Sequence, residues 1–332
     1  MDTQDLHTDS LIWDAHRDVA YEAPLEDRFL QRWMIGVDLH LPRLKKGGIN
    51  VQTFALCIGP EIGLNYTAQA LKELDAVLNI LADHSHEAVL VTKTAEALEA
   101  KKQGRLAIFL NFEGAEPILT DLGLLRMFYR MGLRAMGLTW NYRNDLADGG
   151  YEGRAGGGLS QFGISVVKEM NRLGMVVDLA HNTPQGMLDI LRVSEQPVIH
   201  SHGGVLALNP EHPRVLEDSM LEKIAANGGL FCATTVPQAL SSDPEKATLE
   251  QFLKVIDHAV KVMGPEHVGL GADFDVYQSH LPYAIGSWTK DLEEADKWPS
   301  VTQGLLQLGY AESDVRKIMG ENLLRVYRQV VG

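Results

Sequence analysis

Eight short, β-rich apolar runs recur along the chain, and each is followed by a stretch with helical punctuation. They cover Leu11 to Asp18, Asn50 to Ile58, Leu106 to Glu113, Leu133 to Asn141, Met175 to His181, Pro197 to His202, Gly229 to Val236 and Val268 to Asp275. Most are near-continuously hydrophobic, the pattern of parallel strands covered on both faces. Between them, Thr94 stands before the periodic stretch AEALEAKK, which Gly104 closes. Ser160 caps a helix running through FGISVVKEMNRL to a stop at Gly174. Thr183 followed by Pro184 is an N-cap and first-turn pair, and Ser219 with Glu222 and Thr248 with Gln251 fit the capping box. Strand and helix alternating eight times in 332 residues predict an α/β fold, a (β/α)8 TIM-type barrel with insertions. A doubly wound open sheet is the alternative, but no Gly-rich phosphate loop follows the first run. No repeat, low-complexity tract or long linker breaks the chain, so one domain over residues 1–332 is expected.

Composition narrows the partners. At 45% hydrophobic and 22% charged residues the chain has ample material for a core, and its net charge of -14 argues against nucleic acid or an anionic membrane. A local cationic pocket stays compatible with that balance. The N-terminal MDTQDLHTDSLIWDAH has no basic start followed by an apolar run, and no apolar stretch reaches the ~20 residues of a membrane span. Cys57 and Cys232 lie in separate apolar runs and read as reduced, buried thiols of a cytoplasmic protein.

The informative polar residues fall where strands end. The first run reads DAHRD, with Asp14, His16 and Asp18 at a spacing of two, which a regular strand places on one face. The third ends at Glu113, the fifth at His181 in DLAH, the sixth at His202 in VIHSH, and the eighth offers Asp273 in GADFD. In a barrel these ends converge on one mouth, where active sites of this fold sit. Imidazole and carboxylate are the usual ligands of zinc, which lowers the pKa of bound water to about 7 and polarises a carbonyl under attack. A bridging carboxylate holds two such ions, so no serine or cysteine nucleophile is required.

At these residues the sequence resembles the membrane (renal) dipeptidase family, including its soluble bacterial members. The resemblance runs through DAHRD, FEG, LGMVVDLAH, PVIHSHGG, GLGADFD and the closing DVRKIMGENLLRVY. It implies a distorted barrel, a homodimer and a binuclear zinc site that hydrolyses dipeptides, often tolerating a D-residue at the C-terminal position. His16 and Asp18 would bind one Zn2+, His181 and His202 the other, with Glu113 bridging. Asp273 would move a proton from the attacking water to the leaving amine. Arg214, in HPRVLED, would clamp the substrate carboxylate, since a guanidinium grips it bidentately and keeps its charge. The wider amidohydrolases begin His-x-His and bridge through a modified lysine; this chain reads His-x-Asp and Glu.

Departures from the family bear on the substrate. Trp140 stands where a His commonly follows the Leu-Thr of strand four, Val276 replaces a usual Gly, and CATTVPQAL lacks an Asn/Tyr-rich pattern. Asp14 reads equally as a partner to the ligands or a structural acceptor. His200, two residues before His202, is expected to point into the barrel one layer deeper. Asp275 reads as a loop residue, Glu116 as a solvated or capping residue, His84, His86, His258 and His267 as surface, and Asp291 to Trp298 as an exposed helix face or loop. Two other functions compete: an amidohydrolase of N-acyl amino acids or cyclic amides, and a catalytically silent metal-binding relative. Retention of Asp273 and Arg214 argues against the latter.

Overall fold

The computed structural model describes residues 2–18, 41–58, 65–210, 212, 215–274 and 289–332. Its strands are β1 (Trp13–Asp18), β2 (Val51–Cys57), β3 (Ala88–Leu90), β4 (Leu106–Glu113), β5 (Leu133–Gly137), β6 (Val176–Asp178), β7 (Ile199–Val205), β8 (Val215–Leu216), β9 (Leu230–Ala233) and β10 (Val268–Leu270). Every apolar run overlaps one strand of the order β1-β2-β4-β5-β6-β7-β9-β10, paired in parallel from neighbour to neighbour, with β7 running three residues past its run. β10 then returns to β1, where Ala272 N donates to Asp14 Oδ1 at 2.9 Å and Asp273 N donates to His16 O at 3.1 Å. The expected eight-stranded barrel is the observed one. Two short additions, β3 beside β4 and β8 beside β7, lie off this path.

Side-chain alternation splits the apolar residues into two clusters. In β4, Ile108, Leu110 and Phe112 face outward into the large cluster shared with the helices, while Ala107 and Phe109 face the barrel interior. Inside, Trp13 stacks on Phe109 at 5.2 Å between centroids, and Tyr327 packs against both at 4.7 and 4.9 Å. Tyr327 comes from the last helix, Asn322–Val330, which closes the N-terminal end of the barrel. The lower half is therefore filled with aromatic and aliphatic side chains, and the polar positions are left to the opposite mouth.

Several expected helix starts hold. Ser160 Oγ accepts from Gly163 N at 3.0 Å ahead of Gln161–Leu173, which stops at Gly174 with φ 77°. Thr183 Oγ1 accepts from Gly186 N at 3.0 Å, and Thr248 Oγ1 from Gln251 N at 3.3 Å. Ser219 does not cap: its helix is Asp218–Ala226 and Glu217 is the N-cap, so Ser219 already lies in the first turn. Thr94 likewise begins its helix, and Glu96 instead accepts from Thr92 N and Lys93 N at 2.7 and 3.2 Å. The segment from Asp291 to Trp298 is loop with one short 3-10 turn, as one of the two sequence readings has it, but Leu292, Ala295 and Trp298 are buried in the outer cluster.

Phe109→Ala should cost about 3–5 kcal/mol in urea unfolding, since it opens a cavity walled by Trp13 and Tyr327. A loss below ~1 kcal/mol would mean that the barrel floor repacks freely.

Candidate metal centre

Glu113 ends β4 on the interior phase set by Ala107 and Phe109. Its Oε1 lies 2.6 Å from His181 Nε2, 3.4 Å from His202 Nε2 and 3.6 Å from His16 Nε2. Asp18 Oδ1 is 3.4 Å from His16 Nε2, while Asp273 reaches His16 at 3.8 Å and His202 at 4.0 Å. His181 and His202 bring their Nε2 atoms to 3.0 Å of each other. The donor atoms form two overlapping groups within reach of a cation: His16, Glu113 and His202, and His16, Asp18 and Asp273. Six residues from five strand ends thus converge at one place.

Two of the histidines reach it through a break in strand alternation. In β1 the pairing runs Trp13 to Val51 and Asp14 to Gln52, then Arg17 to Phe54, so β1 carries one extra residue. Trp13 faces the interior before this bulge, and Asp18, opposite Ala55, is brought to the interior after it. Asp14 is therefore out of phase with His16 and Asp18, contrary to the spacing-of-two reading, and its carboxylate accepts backbone N–H groups instead. β7 repeats the device: His200 pairs with Phe231, but Gly203 pairs with Ala233. Ile199 is interior before the bulge and His202 after it. His200 does not point into the barrel a layer deeper; it lies against Phe231 on the outer face, ring centroids 5.8 Å apart.

His181 and Asp273 arrive by another route, on backbone at φ 64° and 59°. A non-glycine residue held there costs roughly 1–3 kcal/mol and persists only where surrounding structure fixes it. The His181 turn is tied by Gly150 N donating to His181 O at 2.6 Å and by Asp178 Oδ1 accepting from Ala180 N at 3.0 Å. Asn141 Oδ1 accepts from His181 Nδ1 at 2.9 Å, which puts the lone pair on Nε2, toward Glu113. His202 Nδ1 is held at 2.8 Å from Ser201 Oγ.

Burial opposes a charge on His16, yet Glu113, Asp18 and Asp273 outweigh it and raise its pKa to about 10. Burial would also raise Glu113, but His16, His181 and His202 hold its carboxyl well below the usual range. Asp18 goes the other way, pushed well up by burial and by the Glu113 charge. Among the described residues, His16 Nε2, Asp18 Oδ1 and Glu113 Oε2 are buried with no hydrogen-bond partner. Imidazole nitrogens and carboxylate oxygens aimed at one point without partners of their own fit a divalent metal.

Of the other sequence candidates, Trp140 stands half-buried at the rim, 6.3 Å from the His181 ring and edge-on to Tyr142. Arg214 and Asp275 lie outside the described residues. Glu116 is partly buried instead of solvated; it stands in the first turn of the short helix Glu116–Ile118, with Ala115 as the N-cap, and accepts from Asn144 Nδ2 at 3.0 Å. His84, His86, His258 and His267 stay outside the donor groups, with His258 paired to Asp218 and His267 to Gly229 O. Both cysteines are buried free thiols, and burial pushes each thiol up. Sequence reasoning missed Asn141, Ser201 and the role of Asp178; the Asp of DLAH, three residues before its His, was the available signal. Among the described residues no helix is long and apolar enough to cross a membrane.

Comparison with known proteins shows the family and the fold. Residues 1–331 match the membrane dipeptidase family, peptidase family M19. Dipeptidase tcpJ of Claviceps purpurea is 32% identical over 320 residues, which covers 93% of this chain and 73% of the relative. An amidohydrolase from Pseudomonas aeruginosa superposes with a TM-score of 0.86 at 26% identity, over 100% of both chains. A metallopeptidase from Rhodobacter sphaeroides, solved with a phosphinate mimic of the dipeptide L-Ala-D-Ala, shares the fold with a TM-score of 0.82. It is 23% identical over 97% of this chain and 100% of its own.

Glu113→Gln should lower the bound metal in elemental analysis, because a neutral amide is a much weaker ligand for a divalent cation than a carboxylate. Unchanged metal content would remove Glu113 from the centre.

Proposed function

From the premise that the chain belongs to the membrane dipeptidase family, peptidase family M19, and is a metallo-dipeptidase of it, we propose that it cleaves dipeptides with two Zn2+ ions bridged by Glu113. The observation that carries this reading is the Glu113 carboxylate within 2.6–3.6 Å of three imidazole nitrogens, two from other strands and one from the turn after β6. His16 and Asp18 would hold one ion, His181 and His202 the other. When bound, the ions supply an acidified water and an electrophile for the scissile carbonyl.

The remaining work falls to side chains of this chain. Asp273 sits 3.8 and 4.0 Å from the imidazoles of His16 and His202, beside the place where the scissile bond would lie. It takes the proton from the attacking water and delivers it to the amide nitrogen as the C–N bond breaks, so the amine leaves neutral. Arg214 holds the free carboxylate of the substrate, which orients the bond and selects peptides that end there. Trp140, next to His181, limits the side chains that enter. The Rhodobacter fold relative holds a mimic of a dipeptide ending in D-Ala, which makes the stereochemistry of the C-terminal residue the first variable to screen. The working unit we take to be a homodimer of single-domain chains, to be checked by sedimentation.

Amidating the C-terminus of a good dipeptide should cut kcat/KM heavily. Arg214→Ala should do the same to the free acid by roughly 10–100-fold, the worth of a charged hydrogen bond, while barely affecting the amide. Equal losses on both substrates would make Arg214 structural. Trp140→Ala should reorder a stereochemically complete dipeptide library while zinc content stays unchanged. A uniform small loss across that library would reduce Trp140 to rim packing.

A further inference from the structure

A β-bulge leaves its extra residue outside the ladder, and in a closed barrel the released N–H cannot turn to water. Both bulges described above have an answer to this in a buried carboxylate. At β1, Asp14 Oδ1 accepts from His16 N at 3.3 Å and, across the seam, from Ala272 N at 2.9 Å. At β7, Asp178 Oδ1 accepts from Ser201 N at 3.0 Å and from Ala180 N, also at 3.0 Å. Asp14 and Asp178 are themselves buried, and each takes one N–H from a bulge and one from a second segment carrying a site residue. Ala272 precedes Asp273, and Ala180 precedes His181.

We propose that Asp14 and Asp178 are positioning residues that fix the phase of the two bulges, and so decide which ion site His16 and His202 can complete. Without the carboxylate, a strand's remedy for its orphan N–H is to slip back into regular pairing. A slip of one residue turns every following side chain to the opposite face. In β1 that carries His16 and Asp18 away from Glu113 together; in β7 it carries His202 away. His200 shows where such a side chain ends, packed outward against Phe231. Space for His200 there depends on Gly203, where a Cβ would stand 2.5 Å from the His200 ring. The role is geometric: an acceptor oxygen is required, a negative charge is not.

This rests on the two-ion reading above, and the test separates the two. Apo-protein is titrated with 113Cd2+ and followed by NMR, which should give two resonances, one for each donor set. Asp14→Ala should weaken the ion held by His16 and Asp18 about 10–100-fold and leave the other within a few-fold. Asp178→Ala should do the reverse. Asp14→Asn and Asp178→Asn, which keep an acceptor oxygen, should restore both ions. Hydrogen exchange on the unsubstituted apo-protein needs no variant: the His16 and Ser201 amides should exchange as slowly as the ladder amides beside them. Wild-type protein that takes up no cadmium sinks the metal reading and this inference with it. Two ions in wild type, with both Ala variants binding them unchanged or losing both equally, overturn the inference alone. So do Asn variants as weak as the Ala variants, or fast exchange at His16 and Ser201.

Discussion

Three carboxylates and three imidazoles meet at the mouth of this barrel, most of them out of solvent, and the set cannot balance its own charge without disabling itself. Left alone, it settles by sharing protons: His16 is raised to about 10, Glu113 is held low by the imidazoles, and Asp18 is pushed up. Each such proton occupies a lone pair that a ligand needs. Burying ions costs several kcal/mol each unless they are paired, and pairing by proton transfer would make this a buried salt-bridge cluster of doubtful value to stability. A divalent cation removes the conflict, since it compensates the carboxylates while leaving the imidazoles neutral. The fold keeps these residues together because something other than a proton is meant to neutralise them.

That demand explains how the barrel divides its labour. The N-terminal end is apolar and tightly packed, with Trp13, Phe109 and Tyr327 in mutual contact and the helices covering the outer face of each strand. The C-terminal end contains left-handed backbone at His181 and Asp273, bulges in β1 and β7, and carboxylates removed from water. Each of these lowers stability, and each places a donor atom. Local rules are broken here in favour of the site, as expected where a stable scaffold carries a functional site.

The same division sets what the sequence discloses. Apolar runs and caps such as Ser160 and Thr183 report local physics, so the strands and most helix starts were legible. The strand-end residues Glu113, His181, His202 and Asp273 were legible because a barrel sends all such ends to one mouth. Phase was not. Counting by twos through DAHRD and VIHSH grouped Asp14 with His16 and sent His200 inward, and a bulge defeats that count in both strands. The bulges are held by contacts distant in sequence, Asp14 to Ala272 across 258 residues and Asp178 to Ser201 across 23. No window of a single strand contains that information.

The acidic stretch from Asp291 to Trp298 shows how far this reaches. The sequence reads it as an exposed helix face or a loop; it is largely loop, and it supports β1 from outside. Arg17 lies between His16 and Asp18 and, once the bulge has turned those two inward, must point the other way. A buried guanidinium needs a counter-charge, and Glu294 Oε2 supplies it at 3.3 Å, with the Phe274 ring 5.7 Å away. Glu294 is steadied in turn by Arg43 at 2.9 Å, while Leu292 and Trp298 anchor its segment in the outer core. A one-residue slip in β1 would therefore do more than withdraw His16 and Asp18 from Glu113. It would drive the Arg17 charge into the barrel and leave Glu294 without it, so the outer ion pair and the inner donor set favour the same register.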